Sequence, residues 1–495
     1  MNDAYERLLE RYQTITDLEQ ARMVLGWDQQ VTMPDGGTPA RAQQMSTVSA
    51  LQHERRTDPE LGELLDAVEA NDPDERQQAV VQEIRHDYER EAEVPADLVE
   101  EISRTSSEAQ QVWERAREED DFEQFAPTLE RIRDLQVERA GHVDPDADPF
   151  AVMHEDDEPD LSIETVERIF DRIKSDLVPL IEEIRERGDA PASPFEAQGP
   201  YDEDEQFEFS KEVLETLGFD PERTRLDRSA HPFTVGNQYD CRITTRFNED
   251  DVVDGLLGTV HEFGHGLYQL GLPDEEYGSP LGEAQSLGVH ESQARFWENH
   301  VGRSRPFWEL ILPEMRDRFP QLSDVSVDEA YEAVNRIYPE NLIRVEADEL
   351  TYHLHVLVRF EVGREFVAGN LAVDEIPRAW NDRMEWYLGV SPETDAEGCL
   401  QDVHWTEGFA AFQAYTIGSV LAAQLDAAMR EDLDVDALIR EGEFEPIREW
   451  LREHVHRHGR RYPADELIEV ATGEPLTADY FVEYAKEKYT DLYGL

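Results

Sequence analysis

The sequence has little lysine, little cysteine and no long apolar run. Of its 495 residues, only four are lysine and two, Cys241 and Cys399, are cysteine. Two cysteines are too few for a disulfide framework, which favours a cytoplasmic location. No apolar run approaches the roughly 20 residues that a membrane helix requires. The N-terminus also lacks a basic start followed by an apolar stretch, so we predict neither a signal peptide nor a membrane partner.

Positive charge is scarce as well. The chain has 113 Asp and Glu residues but only 46 Lys and Arg residues, which gives a formal net charge of −67. The acidic residues are spread over the whole length, which is typical of a halophilic surface, because molar salt screens repulsion beyond about 3 Å. An acidic protein that binds basic partners would instead concentrate its charge in blocks. Nucleic-acid binding is excluded, since phosphate contacts need basic patches.

Apolar residues recur mostly with the helical period, which predicts a mainly α-helical protein. The clearest helical segments are Tyr5–Tyr12, Leu61–Val68, Leu98–Val112, Val166–Ile184, Val327–Ile337 and Tyr352–Phe366. The stretch Gly188–Glu205, rich in proline and acidic residues, is the best candidate for a linker or surface crossover. The strand signals predict one short antiparallel hairpin, formed by Phe233–Val235 and Asp240–Arg246 around a turn at Gly236-Asn237.

Just after this hairpin, a helix carries His261-Glu262-Phe263-Gly264-His265. We expect Asn248 or Asp250 to cap it and Gly271 to end it. Histidines four residues apart project from one helix face and can chelate one Zn²⁺, while Glu262 can reach a water beside the metal as a general base. The alternative is a pair of ordinary histidines on a half-buried face. Gly264 and Gly266 favour the functional interpretation, because glycines inside a helix indicate close approach of another backbone or a substrate.

A catalytic zinc site normally has a third protein ligand and one open position. The segment Leu287–Trp297 predicts a second helix, joined to the first by the Gly/Pro-rich loop Gly271–Gly282. An antiparallel return would bring this helix back beside the two histidines. Its candidates for the third ligand are Glu291, Glu298 and His290.

Six short motifs follow in order along the C-terminal two-thirds of the chain. They are His231-Pro232-Phe233; Asp240-x-Arg242-x-Thr244; His261-Glu262-x-x-His265; His290-Glu291-Ser292-Gln293; Ile343-Arg344-x-x-Ala347-Asp348; and Gly398-x-x-Gln401-Asp402-x-His404-Trp405. With these motifs the sequence resembles the carboxypeptidase Taq family, the M32 metallocarboxypeptidases. The N-terminal Trp27-Asp28-Gln29 and Met33-Pro34 extend the resemblance over the full length.

The resemblance implies a zinc carboxypeptidase that removes single residues from peptide C-termini with broad specificity and acts poorly before a C-terminal proline. It implies a largely helical, two-lobed shell around a deep groove, and a homodimer. Carried onto this chain, it makes His261, His265 and Glu291 the metal ligands and Glu262 the catalytic glutamate; cobalt supports activity in some relatives. We expect one domain over residues 1–495, with an N-terminal lobe or lid at 1–200 and a catalytic part at 201–495.

Two further roles need candidates. Arg242 and Arg344 are the motif arginines that could bind the substrate carboxylate through bidentate bonds. Each could instead form a structural ion pair, with Asp240 and Asp348 as the obvious local partners. The donors that could stabilise the developing oxyanion are His231, His404 and Tyr415; the last two resemble the His/Tyr pair of related helical zinc peptidases.

Two rival functions stay open. A helical endo-oligopeptidase of the thimet or oligopeptidase F type also carries His-Glu-Phe-Gly-His, but the Asp240–Thr244 and Gly398–Trp405 motifs argue against it. A catalytically inactive acidic interaction protein could keep the same fold, although the intact glutamate and ligand set disfavour this.

Overall fold

The periodic apolar segments fold into helices that occupy most of the chain. The computed structural model describes residues 2–188, 190–195 and 199–495. In the first part the helices are α1 (Asn2–Val31), α2 (Thr38–Arg56), α3 (Pro59–Glu69), α4 (Glu75–Ala92), α5 (Ala96–Glu118), α6 (Phe122–Val143), α7 (Pro149–His154), α8 (Ile163–Arg187) and α9 (Glu203–Leu217).

The remaining helices follow a short sheet. They are α10 (Val252–Gly271), α11 (Leu287–Arg295), α12 (Arg305–Arg318), α13 (Val327–Val334), α14 (Tyr352–Val367), α15 (Ile376–Leu388), α16 (Gln413–Asp432), α17 (Val435–Glu441), α18 (Glu445–His454), α19 (Ala464–Thr472) and α20 (Asp479–Tyr493). A π-helical turn, Phe296–Gly302, continues directly from α11.

The predicted mainly α-helical fold is confirmed, with two local differences. The segment expected to be helical to Ile337 ends at Val334. The cap of α10 is Asp251 and neither Asn248 nor Asp250; the Asp251 carboxylate accepts from the backbone N–H groups of Val253 and Asp254. The predicted crossover joins α8 to α9, but residues 189 and 196–198 of it lie outside the described residues.

The sheet contains the predicted hairpin and one strand that the sequence did not reveal. Strands β2 (Thr234–Gly236) and β3 (Cys241–Thr245) pair antiparallel, with Val235 opposite Arg242. Strand β1 (Thr224–Arg228) pairs parallel to β3 on its other side, so the sheet order is β1-β3-β2 and the sheet is mixed. The sequence of β1, Thr-Arg-Leu-Asp-Arg, carries one apolar residue, which gives no strand signal.

Helix α10 lies between this sheet and α11, and its glycines make the packing possible. A Cβ added at Gly264 would lie 2.6 Å from the Cα of Ala294 and 2.7 Å from the carbonyl oxygen of Gln293. A Cβ at Gly266 would lie 3.1 Å from the Cys241 sulfur. The close backbone approach predicted from these glycines is therefore confirmed at Gly264, where α11 comes near enough to face the two histidines.

Apolar side chains form one large buried cluster that spans α5 to α20, with α10 at its centre, and a smaller cluster between α1, α3 and α4. The predicted division into a lobe at 1–200 and a catalytic part at 201–495 stays a prediction. None of the described helices combines the length and the apolar character that a membrane span requires.

Candidate active site

Two helices bring together two imidazoles and one carboxylate. His261 and His265 come from α10 and Glu291 from α11, and one ligand atom from each lies within 4.8 Å of the other two. The Glu291 Oε2 atom is 3.9 Å from Nε2 of His261 and 3.5 Å from Nε2 of His265. Ligand atoms around a tetrahedral Zn²⁺ lie about 3.3 Å apart, given bonds of about 2.0–2.1 Å. The three side chains therefore fit such an ion after a small contraction.

Each histidine is oriented by a second side chain behind it. Nδ1 of His261 lies 2.9 Å from Oε2 of Glu298, and Nδ1 of His265 lies 2.6 Å from Nδ1 of His290. Burial, aided by the nearby His265, lowers the pKa of His290 to about 3, so its ring is neutral, and one hydrogen bond joins the two facing Nδ1 atoms. With both Nδ1 atoms engaged in this way, both Nε2 atoms face Glu291. Glu298 and His290, the alternatives for the third ligand, thus stand behind the histidines.

A half-buried arginine holds the carboxylate in place. Nε of Arg295 donates to Oε1 of Glu291 at 2.6 Å, which leaves Oε2 facing the histidines, and its Nη1 donates to Glu298 at 3.1 Å. Burial alone would raise the pKa of Glu291, but Arg295 and the two histidines outweigh it and lower the pKa to about 2. The carboxylate is therefore ionised and ready to bind a cation at neutral pH.

Glu262 is anchored to the sheet. Its Oε2 atom accepts a hydrogen bond of 2.7 Å from the hydroxyl of Thr234, which also lies 2.8 Å from the Glu262 carbonyl oxygen. Glu262 is buried and is not part of the three-residue cluster. Strand β2 therefore fixes the side chain that a general base in this position would require.

Two cavities of about 580 Å³ each open on either side of the cluster, and Tyr415 lines both. We call the first the His265 cavity, since His265 and Glu291 line it; its further walls include Ile102, Arg139, Met153, Asp156, Asp157, Leu287, His404, Glu407, Phe409, Ala410 and Phe412. We call the second the His261 cavity, since His261 and Glu262 line it; its further walls include Pro232, Leu257, Arg295, Arg303, Arg336, Arg344, Val345 and Tyr352.

The two motif arginines have different surroundings. Arg344 lines the His261 cavity and binds Asp402 through Nε and Nη2, with Nη2 at 2.8 Å, while its Nη1 donates to the Tyr352 hydroxyl at 3.2 Å. The prediction that Asp348 would pair with Arg344 is wrong. The Asp348 carboxylate instead accepts from the backbone N–H groups of Leu350 and Thr351, at the start of α14.

Arg242 keeps the expected partner, Asp240, at 2.7 Å, and its guanidinium lies 4.3 Å from the ring centroid of Trp27. Its strand neighbours Cys241 and Ile243 face α10, so Arg242 lies on the sheet face away from that helix.

The three residues that could donate to the oxyanion also differ in their position relative to the two cavities. Tyr415 borders both cavities, and burial raises the pKa of its phenol, which keeps the hydroxyl protonated as a donor. His404 lines the His265 cavity, with Nδ1 3.8 Å from Oδ1 of Asp402. His231 is exposed and lines neither cavity, although its neighbour Pro232 lines the His261 cavity. The geometry favours Tyr415 and His404 over His231.

Sequence reasoning missed the supporting residues Thr234, Arg295 and Arg303. Arg303 donates to Oε1 of Glu298 at 3.2 Å, so two arginines hold the carboxylate behind His261. One signal was present: Glu291, Arg295 and Glu298 are four and three residues apart, which places them on one helix face. No local pattern could have assigned Thr234 to Glu262, because the two meet only when the sheet packs on α10.

Replacing the carboxylate behind His261 should weaken metal binding without removing a ligand. We expect Glu298→Gln to raise the metal dissociation constant about 10- to 100-fold, because a neutral amide polarises the imidazole less and fixes its orientation less firmly. Competition with a chromophoric chelator measures this constant directly. Glu314→Gln, on the exposed side of α12, is the matched control and should bind metal like the unaltered protein. Unchanged affinity in Glu298→Gln would contradict the orienting role.

Comparison with known proteins finds relatives that match nearly the whole chain. The family model described as carboxypeptidase Taq (M32) metallopeptidase matches residues 7–489. Thermostable carboxypeptidase 1 of Thermus thermophilus is 39% identical, with 99% of each chain covered. The crystal structure of the M32 carboxypeptidase from Deinococcus radiodurans R1 superposes with a TM-score of 0.96 at 40% identity, covering 99% of this chain and 100% of that one. The carboxypeptidase structure from Pyrococcus furiosus gives a TM-score of 0.96 at 37% identity, covering 99% of each chain. The chain therefore belongs to the carboxypeptidase Taq (M32) family of metallopeptidases and is a metallocarboxypeptidase.

Proposed function

We propose that this carboxypeptidase uses zinc and releases single residues from peptide C-termini with broad specificity, acting poorly where the C-terminal residue is proline. The cluster of His261, His265 and Glu291, with Glu262 beside it, is the observation that carries the proposal. Family membership implies a divalent metal, and two imidazoles with one carboxylate suit Zn²⁺, which they would leave with an open position. Cobalt is the alternative ion, since the same donor set accepts it.

The residues around the cluster supply the remaining chemistry. A bound Zn²⁺ would contribute Lewis acidity at the scissile carbonyl. Glu262, held by Thr234, takes the proton from the attacking water and passes it to the leaving amine. Tyr415, whose hydroxyl stays protonated, donates to the developing oxyanion, with His404 as a second donor from the same side. His231 is the remaining candidate and has the least support.

The His261 cavity is the better place for the substrate carboxylate. Arg344 lines it beside His261 and Glu262, and among the described residues Nη1 of Arg344 donates to the neutral Tyr352 hydroxyl alone. Asp402 occupies the other edge of the guanidinium, so the arginine is held rigidly while one edge faces the cavity. Arg242, stacked on Trp27 on the far face of the sheet, has less support as the anchor.

The decisive experiment is digestion of a peptide with a free C-terminus and of its C-terminally amidated twin. We expect mass spectrometry in molar salt with added Zn²⁺ or Co²⁺ to show a ladder of single C-terminal losses from the free peptide only. The amidated peptide cannot offer a carboxylate to an arginine, so it should stay intact. Internal cleavage of both peptides would instead support the thimet-type endo-oligopeptidase.

Three broader assignments accompany this proposal. A homodimer and a cytoplasmic location follow from the family resemblance and the scarcity of cysteine. A halophilic surface follows from the net charge of −67. Sedimentation in 0.1 M and 3 M salt would test the first and the last together, because a halophilic dimer should lose its structure or its partner at low salt.

A further inference from the structure

A bound peptide would lie across the two cavities, with its scissile bond at the cluster between them. If the C-terminal carboxylate enters the His261 cavity, where Arg344 lies beside Glu262, the C-terminal residue occupies that side of the cluster. The residue before the scissile bond must then lie on the opposite side. That side is the His265 cavity, which reaches the cluster at His265 and Glu291. This step rests on the proposed function.

The walls of the His265 cavity suit a long side chain with an apolar stem. Ile102, Met153, Leu287 and Phe409 are among its apolar residues. Leu287 is 48% exposed, unusually open for a leucine, because it borders this cavity. Contact with such walls would bury the methylene groups of a long side chain.

The charges in the cavity are predominantly negative. Its lining includes one guanidinium, that of Arg139, and the carboxylates of Asp156, Asp157 and Glu407. Asp156 accepts from both Nη atoms of Arg139, at 2.6 and 2.8 Å, and also pairs with Arg90, so Arg139 acts on Asp157 only through space. Within the described chain, the carboxylates of Asp157 and Glu407 form no hydrogen bond or ion pair.

Asp157 is the more effective of the two as a counter-charge, because it is only partly exposed whereas Glu407 is exposed. Burial first, and Asp156 second, raise the pKa of Asp157 to about 6, so the group is ionised at neutral pH while poorly solvated. A half-buried carboxylate without a hydrogen-bonded counter-ion attracts a cation more strongly than a surface one. Its backbone carbonyl also accepts from the N–H of Leu287 at 3.0 Å, which fixes its position relative to α11.

We infer that the His265 cavity binds the side chain of the penultimate substrate residue and favours lysine or arginine there, with Asp157 as the counter-charge. Asp157 is thus a specificity-determining residue for the established carboxypeptidase activity. Peptides with an acidic penultimate residue are the disfavoured class, since they would bring a like charge against Asp157.

The test uses one peptide sequence with lysine, norleucine or glutamate as the penultimate residue and leucine at the C-terminus. Norleucine keeps the stem of lysine without its charge. With the metal-loaded full chain we expect kcat/KM for lysine to exceed that for norleucine about 10-fold, and glutamate to be slower than norleucine. Asp157→Asn should reduce the lysine-to-norleucine ratio to within about 2-fold of unity. Asp382→Asn, on the exposed face of α15, removes the same charge outside the cavity and should leave the ratio unchanged.

The possible results distinguish a failure of the subsite assignment from a failure of the proposed function. A lysine-to-norleucine ratio near unity, or a high ratio that survives in Asp157→Asn, would overturn the role of Asp157. The same basic preference at the C-terminal residue, tested with the penultimate residue held constant, would overturn the assignment of the two cavities. If no peptide loses its C-terminal residue, the proposed function itself fails and the subsite assignment fails with it.

Discussion

Glu262→Gln is expected to abolish most peptide hydrolysis while the metal stays bound. The Glu262 carboxylate lies outside the cluster of two histidines and Glu291, so its replacement removes no proposed ligand. An amide can still accept the hydrogen bond from Thr234, which keeps the side chain in place. It cannot accept a proton from the attacking water, and a general base contributes about 10²- to 10⁴-fold to such a rate. Steady-state kinetics on a free-acid peptide should show a loss of that size in kcat.

The metal content and the melting temperature of the same sample complete this experiment. Both should match the unaltered protein, because the ligand set and the anchor to β2 are intact. Glu385→Gln, on the exposed face of α15, is the matched control for the chemical change and should retain full activity. Substantial hydrolysis by Glu262→Gln would remove this residue from the mechanism and leave the base unassigned.

The parts of the site that the sequence could predict are those encoded over a few residues. The spacing of His261 and His265 determines that both imidazoles share a helix face. The interior glycine at Gly264 indicates a close neighbour, and the structure shows that neighbour to be the backbone of Ala294. Helix α14 and the β2–β3 hairpin were likewise predictable, because period and turn chemistry act locally.

What the sequence could not reveal depends on contacts between distant segments. Arg344 pairs with Asp402, 58 positions away, and not with its near neighbour Asp348, because Asp348 accepts from backbone N–H groups at the start of α14. Strand β1 has a polar sequence and owes its conformation to pairing with β3. Asp157 lies two helices before the sheet, yet it reaches the His265 cavity through its contact with Leu287.

Glu291 is the most informative ligand to replace, because it is both a proposed metal ligand and a partner of Arg295. We expect Glu291→Gln to lose stoichiometric metal and nearly all activity, since an amide oxygen is a far weaker ligand for Zn²⁺ than a carboxylate. It should also destabilise the metal-free protein. Arg295 is half-buried and donates to both Glu291, which is buried, and Glu298, so neutralising Glu291 removes one of its two counter-charges. Breaking a buried ion pair costs about 3–5 kcal/mol, and the amide, which keeps the hydrogen bond, should cost less.

Comparison of metal-free samples isolates that second effect, because bound metal stabilises the folded protein by itself. The melting temperature of metal-free Glu291→Gln should lie several degrees below that of the metal-free unaltered protein, whereas Glu291→Asp, which keeps the charge, should lie closer to it. Metal analysis and thermal unfolding of the same preparations measure both effects. Tight stoichiometric metal in Glu291→Gln would show that Glu291 is not the third ligand. The carboxylate of Glu298, on the same helix face and bonded to the same arginine, would then be the candidate to replace next.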